Sequence, residues 1–395
     1  MTPRRVTPRR VTPRRVTLRR VPRGLVAVAL AIPACGRAPV AEPPAPAIAP
    51  VVVPLPRADR ARSYAALDSA SARVTVLLAT TRRAVASELP GGRFGPDDAD
   101  SLQFAAVGVN VPGYRARGAG ELPRPSALRS TPDPARDVYV ASTIPADSAR
   151  FTQRLAADLA LTRSRDVMVF VHGYNSSFED AAARAAQVAV DMGFDGSLVL
   201  FSWPSAASLT AYVRDQQAAR NAGFHLLRLL RGPIAAAAPD HIHIVTHSMG
   251  SEVVARALTL APPNSVPRLG QVALAAPDLD ARVFRREVLP VLAARAARTT
   301  LYASSDDDAL RAARAVTGVW RLGLGGDSLT VVDAMDTIDA TRVRADALGH
   351  TLFGNAAFLA DLGQLLANGA APADRRLLPV NRGALVFWRF RGDPR

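Results

Sequence analysis

The sequence has one cysteine and no lysine among its 395 residues. A single thiol, Cys35, excludes an internal disulfide framework and any zinc cluster built on cysteines. It allows a cysteine nucleophile only if Cys35 itself took that role. Without lysine, no P-loop, Schiff base or Ser-Lys dyad can be written. No basic stripe interleaved with aromatic residues runs along the chain, so the footprint of a nucleic-acid-binding surface is missing.

Charge is uneven. The 49 cationic residues, all arginine, exceed the 34 acidic ones and give a net charge of +15. Nine of those arginines (4, 5, 9, 10, 14, 15, 19, 20 and 23) fall in the first 34 residues, which contain no acid; removing them leaves +6 for the rest. That remainder is an ordinary surface balance, and nucleic acid is not an expected partner.

Residues 2–16 repeat Thr-Pro-Arg-Arg-Val three times. A proline in every repeat prevents a helix. An apolar run, Gly24 to Ala34, follows the arginines. It is too short to cross a hydrocarbon core, which needs about 20 helical residues. A positive flank, a short apolar stretch and a small-residue boundary are the parts of a secretory signal. The boundary Ile32-Pro33-Ala34-Cys35-Gly36 resembles a bacterial lipoprotein signal. The resemblance implies lipid attached to Cys35 after cleavage, export to the cell envelope, and a membrane anchored through that cysteine. An unmodified thiol is the competing reading; a translation start near Val16 or Val21 is compatible with lipidation and would leave a normal-sized signal, and a twin-arginine export signal at Arg19-Arg20 is a further option. Residues 38–57 are Pro- and Ala-rich, the composition of an extended spacer. The expected organisation is an extension with signal (1–34), a linker (35–65), a catalytic-type domain (66–370) and a tail (371–395).

Val74–Thr80, Phe104–Val111 and Val138–Ser142 read as strands. From Val167 onward, strands alternate with helical lengths, which predicts an α/β fold with a mostly parallel central sheet and helices on both faces. Strands are expected at Val167–Val171, Ser197–Phe201, His241–Val245, Gln271–Ala275, Thr299–Ala303 and Ser328–Val332. Helices are expected from Ser176-Ser177-Phe178-Glu179, which has capping-box spacing, to Gly193, and over about 206–231, 249–261 and 351–367. In such sheets the chemistry lies just beyond the carboxyl ends of the strands.

Thr246-His247-Ser248-Met249-Gly250 is a variant of G-x-S-x-G between a strand and a helix. In that strained turn a large side chain two residues after the serine would clash, and Gly250 has none. A serine hydroxyl needs a base to accept its proton. On this kind of fold the partners follow in the order serine, acid, histidine. The six histidines are 172, 225, 241, 243, 247 and 350, and His350 alone follows Ser248. The acid is open on position alone. Asp278, Asp280, Asp306, Asp307, Asp308, Asp333 and Asp336 all follow predicted strands, and the 306–308 cluster is favoured. An oxyanion hole needs two backbone N–H groups. Met249 is expected to supply one and Tyr174, within His172-Gly173-Tyr174-Asn175, the other. Gly173 lets the backbone pass close, Asn175 shapes the loop, and His172 reads as a structural hydrogen-bonding residue.

The set VFVHGYN (169–175), FSWPS (201–205), THSMGSEVV (246–254), LAAPDLD (274–280), LYASSDDDAL (301–310) and LGHTLF (348–353) resembles a bacterial α/β-hydrolase family of undefined substrate, whose members are esterase- or lipase-like. LLATTRR (77–83) and LVFWRF (385–390) extend the resemblance to about 70–390. It implies the α/β-hydrolase fold, no cofactor, and Asp307 as the acid, since the family's acid is the Asp of a Ser-Ser-Asn-Asp-like run, second of the Asn-Asp pair. Asp215-Gln216-Gln217 differs from the acidic or Arg-containing run usual there.

His241, His243 and His247 alternate along one strand, but no H-E-x-x-H or carboxylate pattern accompanies them and no metal site is expected. Gly323-Leu324-Gly325-Gly326 lacks the strand–turn–helix frame of a dinucleotide fingerprint and reads as a loop near the site. Trp203, Pro204 and Tyr212 are candidates for an acyl pocket, with core packing the equal alternative for Trp203. The function expected is a serine hydrolase of small-molecule or lipid esters. The rival is a non-catalytic envelope lipoprotein that keeps the scaffold for binding.

Overall fold

The computed structural model describes residues 71–87, 93–113, 120, 122–125, 131–343 and 346–391. The expected signal (1–34), the linker (35–65) and Cys35 lie outside them. Among the described residues no helix is long and apolar enough to cross a membrane.

Three strands come first: β1 (Ser71–Val85), β2 (Arg93–Pro112) and β3 (Tyr139–Ala146), paired antiparallel in sequence. Helix α1 (Ser148–Leu159) leads into β4 (Asp166–Val171), α2 (Phe178–Met192), β5 (Gly196–Ser202) and α3 (Tyr212–Leu229). Then follow β6 (Ile242–His247), α4 (Gly250–Leu260), β7 (Leu269–Ala275) and the short α5 (Ala281–Val283). Helix α6 (Leu289–Arg295), β8 (Ala296–Ala303), α7 (Asp308–Thr317), β9 (Asp336–Asp339), α8 (Ala356–Asn368), β10 (Leu378–Arg382) and β11 (Leu385–Arg389) complete the set.

The strands form one 11-stranded sheet in the order β10-β11-β9-β8-β7-β6-β4-β5-β1-β2-β3. From β1 through β11 along this order, neighbours run parallel; the outer pairs β1–β2, β2–β3 and β10–β11 are antiparallel. Strand alternation divides the core in two. Val167, Val169, Val171, Val199, Phe201, Ile244 and Leu274 face α1, α3, α4 and α6. Met168, Phe170, Leu198, Leu200, Val245 and Ala273 face α2 and α8. Burial on both faces is why these strands read as continuous apolar runs rather than as alternations. Each fully buried Val, Leu or Phe side chain contributes roughly 1.5–3 kcal/mol relative to exposure.

Several boundaries differ from expectation. The capping box of α2 sits one residue later: Ser177 Oγ accepts from Asp180 N at 3.0 Å and donates to Asp180 Oδ2 at 2.8 Å. The helix ends at Gly193, which is left-handed with φ 64°. Helix α3 starts at Tyr212, because the buried Asp215 carboxylate ties down the preceding loop by accepting from Ser205 Oγ at 2.6 Å and Ala206 N at 2.9 Å. The strand expected at Ser328–Val332 is not formed. Leu329 is buried as a packed loop residue, and the next partner of β8 is Asp336–Asp339, paired from Thr300↔Asp336 to Ala303↔Asp339. A short apolar run packed on a core gives the same pattern as a strand, so periodicity could not separate them. The last helix begins at Ala356, capped by Asn355. The stretch expected as a tail, 371–395, supplies β10 and β11, with β11 parallel to β9.

Candidate active site

The parallel strands end along one edge of the sheet, and the unusual residues collect there. Ser248 follows β6 in a left-handed turn, with φ 49°. Its N–H donates to Ala275 O at 3.0 Å, and its carbonyl accepts from Asp278 N and Ser251 N, each at 3.1 Å. Positive φ on a non-glycine residue is held only where surrounding bonds over-determine it. Gly250 explains the small residue two positions on. A Cβ there would come within 2.5 Å of His172 O and 2.6 Å of Val171 O, the end of β4.

His350 stands in a turn built by Asp346, whose carboxylate accepts from His350 N at 2.9 Å and Thr351 N at 3.0 Å. Asp307 caps α7 by accepting from Leu310 N at 2.8 Å, and its second oxygen lies 2.7 Å from His350 Nδ1. Asp307 is fully buried. Of its neighbours, Asp306 and Asp308 face outward toward Arg311. Asp278 is buried in an ion pair with Arg321 Nε at 3.1 Å and accepts from Tyr212 OH at 2.8 Å. Asp280 caps α5, Asp333 is exposed, and Asp336 pairs with Arg298. Among these candidate acids, only Asp307 bonds to the His350 ring.

Burial works against the imidazolium of His350. The hydrogen bond and charge of Asp307, helped by Asp278 and Asp346, outweigh it and raise the pKa above the ordinary value. His247 goes the other way. Burial, with His350 beside it at a ring distance of 4.9 Å, holds it neutral far below its usual range. Burial also pushes the Asp278 carboxyl upward, against the Arg321 charge.

A cavity of about 520 Å³ opens over Ser248 and His350. Its wall includes Gly173, Tyr174 and Asn175 from the loop after β4. Gly173 runs against the Ser248 turn: a Cβ there would lie 2.9 Å from His247 Nδ1 and 3.0 Å from Ser248 Cβ. Asn175 turns the loop with φ 55°, a conformation asparagine tolerates. The backbone N–H groups of Tyr174 and Met249 donate to no acceptor among the described residues. His172 is buried. Its Nε2 accepts from Trp203 N at 3.1 Å, so Nδ1 carries the proton and donates to Gly173 O at 2.9 Å. Burial and the Arg82 charge lower its pKa to about 3, which leaves a neutral ring.

The rest of the wall differs from the expected acyl pocket. Tyr212 lines it. Trp203 and Pro204 do not: Trp203 stacks on His172 and donates through Nε1 to His172 O at 2.8 Å, which places it beneath the loop. The apolar lining comes instead from Leu310, Ala313 and Val316 of α7, with Leu348, Leu209 and Phe353. Spacing of three along α7 puts its side chains on one face toward the cavity. Val316 (66% exposed), Leu209 (78%) and Leu348 (54%) stand at the mouth.

His241 and His243 pair with Asp166 at 2.8 and 3.4 Å at the start of β4, the opposite end of the strands from His247. No group of metal-ligand type gathers among the described residues. The Gly323–Gly326 loop is pinned to Pro277 and Ser304 and does not line the cavity. Sequence reading missed Arg82, which is buried beneath the Tyr174 loop. The only signal was its place at the end of an apolar run in LLATTRR.

A family model described as "Alpha/beta hydrolase of unknown function (DUF900)" matches residues 147–366. No curated protein matches the chain. The matched span exceeds half of the chain and contains Gly173, Ser248, Asp307 and His350, and the chain belongs to this α/β-hydrolase family.

Proposed function

We propose that the protein hydrolyses carboxylic esters through an acyl-enzyme on Ser248. The observation that carries the reading is the buried Asp307 carboxylate 2.7 Å from His350 Nδ1, with His350 and the left-handed Ser248 turn on the wall of one cavity. His350 Nε2 takes the proton of Ser248 Oγ as that oxygen bonds to the acyl carbon. Asp307 fixes the tautomer and stabilises the imidazolium. The Tyr174 and Met249 N–H groups face the negative oxygen of the tetrahedral intermediate. The imidazolium returns its proton to the departing alkoxide, which leaves as the alcohol. Water then gives a proton to His350 and its oxygen to the acyl carbon; as the bond from the acyl carbon to Ser248 Oγ breaks, the imidazolium passes that proton to Oγ, releasing the acid and restoring both Ser248 and the neutral base.

The apolar α7 wall supports an aliphatic acyl or alcohol group, placed by burial rather than by hydrogen bonds. Lipid on Cys35 and placement in the cell envelope belong to the same proposal on sequence grounds. The intact mass of protein from a membrane fraction tests that part, and an unmodified Cys35 would remove it.

A fluorophosphonate probe tests the chemistry. The wild type is expected to bind it covalently and to cleave short p-nitrophenyl esters, and Ser248→Ala to do neither. Labelling that survives the substitution rejects Ser248. A folded wild type inert to probe and esters leaves the chain as a binding scaffold.

A further inference from the structure

Arg82 is 1% exposed, yet no carboxylate pairs with it among the described residues. Its guanidinium donates only to neutral oxygens: Ser202 Oγ at 2.9 Å, Gly95 O at 3.2 Å, Ser205 O at 3.0 Å and Ser176 O at 2.7 Å. Burial lowers its pKa to about 10, so it remains a cation at neutral pH, favoured by Glu179 and Asp215 only through space. Desolvating a charge without a direct counter-ion is expensive. Packing alone does not call for a charge here, since filling the space needs no guanidinium; its use lies in the oxygens it serves. The acceptors indicate what it does instead. Ser176 closes the loop that carries Tyr174, and Ser202 and Ser205 flank the turn after β5.

We infer that Arg82 is a positioning residue for the oxyanion hole, acting through a directed hydrogen-bond relay to the Gly173–Tyr174 peptide. Arg82 Nε donates to Ser202 Oγ at 2.9 Å. The single Ser202 O–H is then directed to His172 Nε2, 3.2 Å away, where it shares the ring's one acceptor lone pair with Trp203 N; the backbone N–H already sets the tautomer, and the Ser202 bond steers the plane of the ring. With Nε2 an acceptor, His172 Nδ1–H donates to Gly173 O at 2.9 Å. That carbonyl belongs to the same planar trans peptide as the Tyr174 N–H, and the two bonds point in opposite directions. Fixing one end therefore aims the other. Arg82 adds a second tie through Ser176 O, and Ser176 N donates to Ser205 Oγ at 3.1 Å, so both sides of the Tyr174 loop are held. Burial, with the Arg82 charge adding to it, keeps His172 neutral, as the relay requires.

The inference rests on the ester-hydrolase reading, so wild-type turnover is measured beside the variants Arg82→Met and Ser202→Ala. Ser202→Ala cuts the middle link and leaves three of the Arg82 bonds, so it gives a result even where Arg82→Met fails to fold. Expected for each folded variant is a loss of about 10²-fold in kcat, the scale of a small misplacement, with KM nearly unchanged. Affinity for a trifluoromethyl ketone, which forms the tetrahedral oxyanion, should fall in parallel, while affinity for the matching methyl ketone holds. A merely structural role would weaken both ketones together, and that outcome overturns the relay. So do folded variants with wild-type kcat and trifluoromethyl-ketone affinity beside an active wild type, which leave the hydrolase reading standing. A wild type without turnover overturns both.

Discussion

Asp307 reaches across 43 residues to place its carboxylate 2.7 Å from His350 Nδ1. The same side chain caps α7, so the helix and the imidazole are set by one carboxylate. Asp307→Asn retains an acceptor for the Leu310 N–H while removing the charge that stabilises an imidazolium. If Asp307 is the acid of the proposed triad, helical content should persist while kcat/KM for a p-nitrophenyl ester drops by about 10⁴-fold, the loss known for a Ser-His-Asp triad deprived of its acid. A variant within tenfold of wild type would exclude Asp307 from the triad.

The pH profile follows from the raised pKa of His350. The base must be neutral to accept the serine proton, so activity is lost as pH falls through its pKa. A raised pKa moves that loss to higher pH, and the acid limb of kcat/KM should lie above 6.5. Asp307→Asn should move the residual limb down. An upward move would contradict the assignment.

Gly173 has no room for a side chain, with His247 Nδ1 2.9 Å and Ser248 Cβ 3.0 Å from where a Cβ would sit. Gly173→Ala must push the Tyr174 loop away from the serine. A fall of about 10²-fold in kcat is expected with unchanged circular dichroism.

Val316 and Leu348 stand exposed at the cavity mouth. Val316→Asp combined with Leu348→Asp should lower the ratio of kcat/KM for dodecanoate to that for acetate about tenfold, the worth of two buried methylenes at roughly 0.8 kcal/mol each. An unchanged ratio across p-nitrophenyl esters would place the acyl chain elsewhere.

Away from the cavity, Asp361 of α8 accepts from Tyr302 OH at 2.6 Å and from Arg375 at 2.8 Å. Asp361→Ala leaves a buried guanidinium without that partner and should cost about 3–5 kcal/mol in urea unfolding. A loss under 1 kcal/mol, the scale of an exposed pair, would show that the pair is solvated.

The sequence made the strand-end residues legible because doubly covered parallel strands are apolar runs that end abruptly, as at His172, Ser248 and Ser304. Order along the chain then pointed to His350. What it hid depends on long-range partners. Arg82 looks like a surface arginine until the ends of β1 and β5 are side by side. Trp203 looks like a pocket residue until His172 is stacked on it. The α7 wall was hidden because Leu310, Ala313 and Val316 gain their common face only once Asp307 fixes the start of the helix. Ser328–Val332 had a strand's composition but no neighbour to pair with, whereas Asp336–Asp339 had β8.

The strand order also carries a consequence for biosynthesis. β1 leaves the ribosome early, yet its parallel partner β5 follows only after β2, β3 and β4, so its Leu77–Ala79 edge waits unpaired. An apolar edge of that kind invites association with other nascent chains, and shielding it by a chaperone is the natural remedy. The imidazole of His350 emerges later than Ser248 and Asp307. Under the proposed mechanism, the nascent polypeptide carries Ser248 without its base until then, and so stays inert toward esters while it is being made.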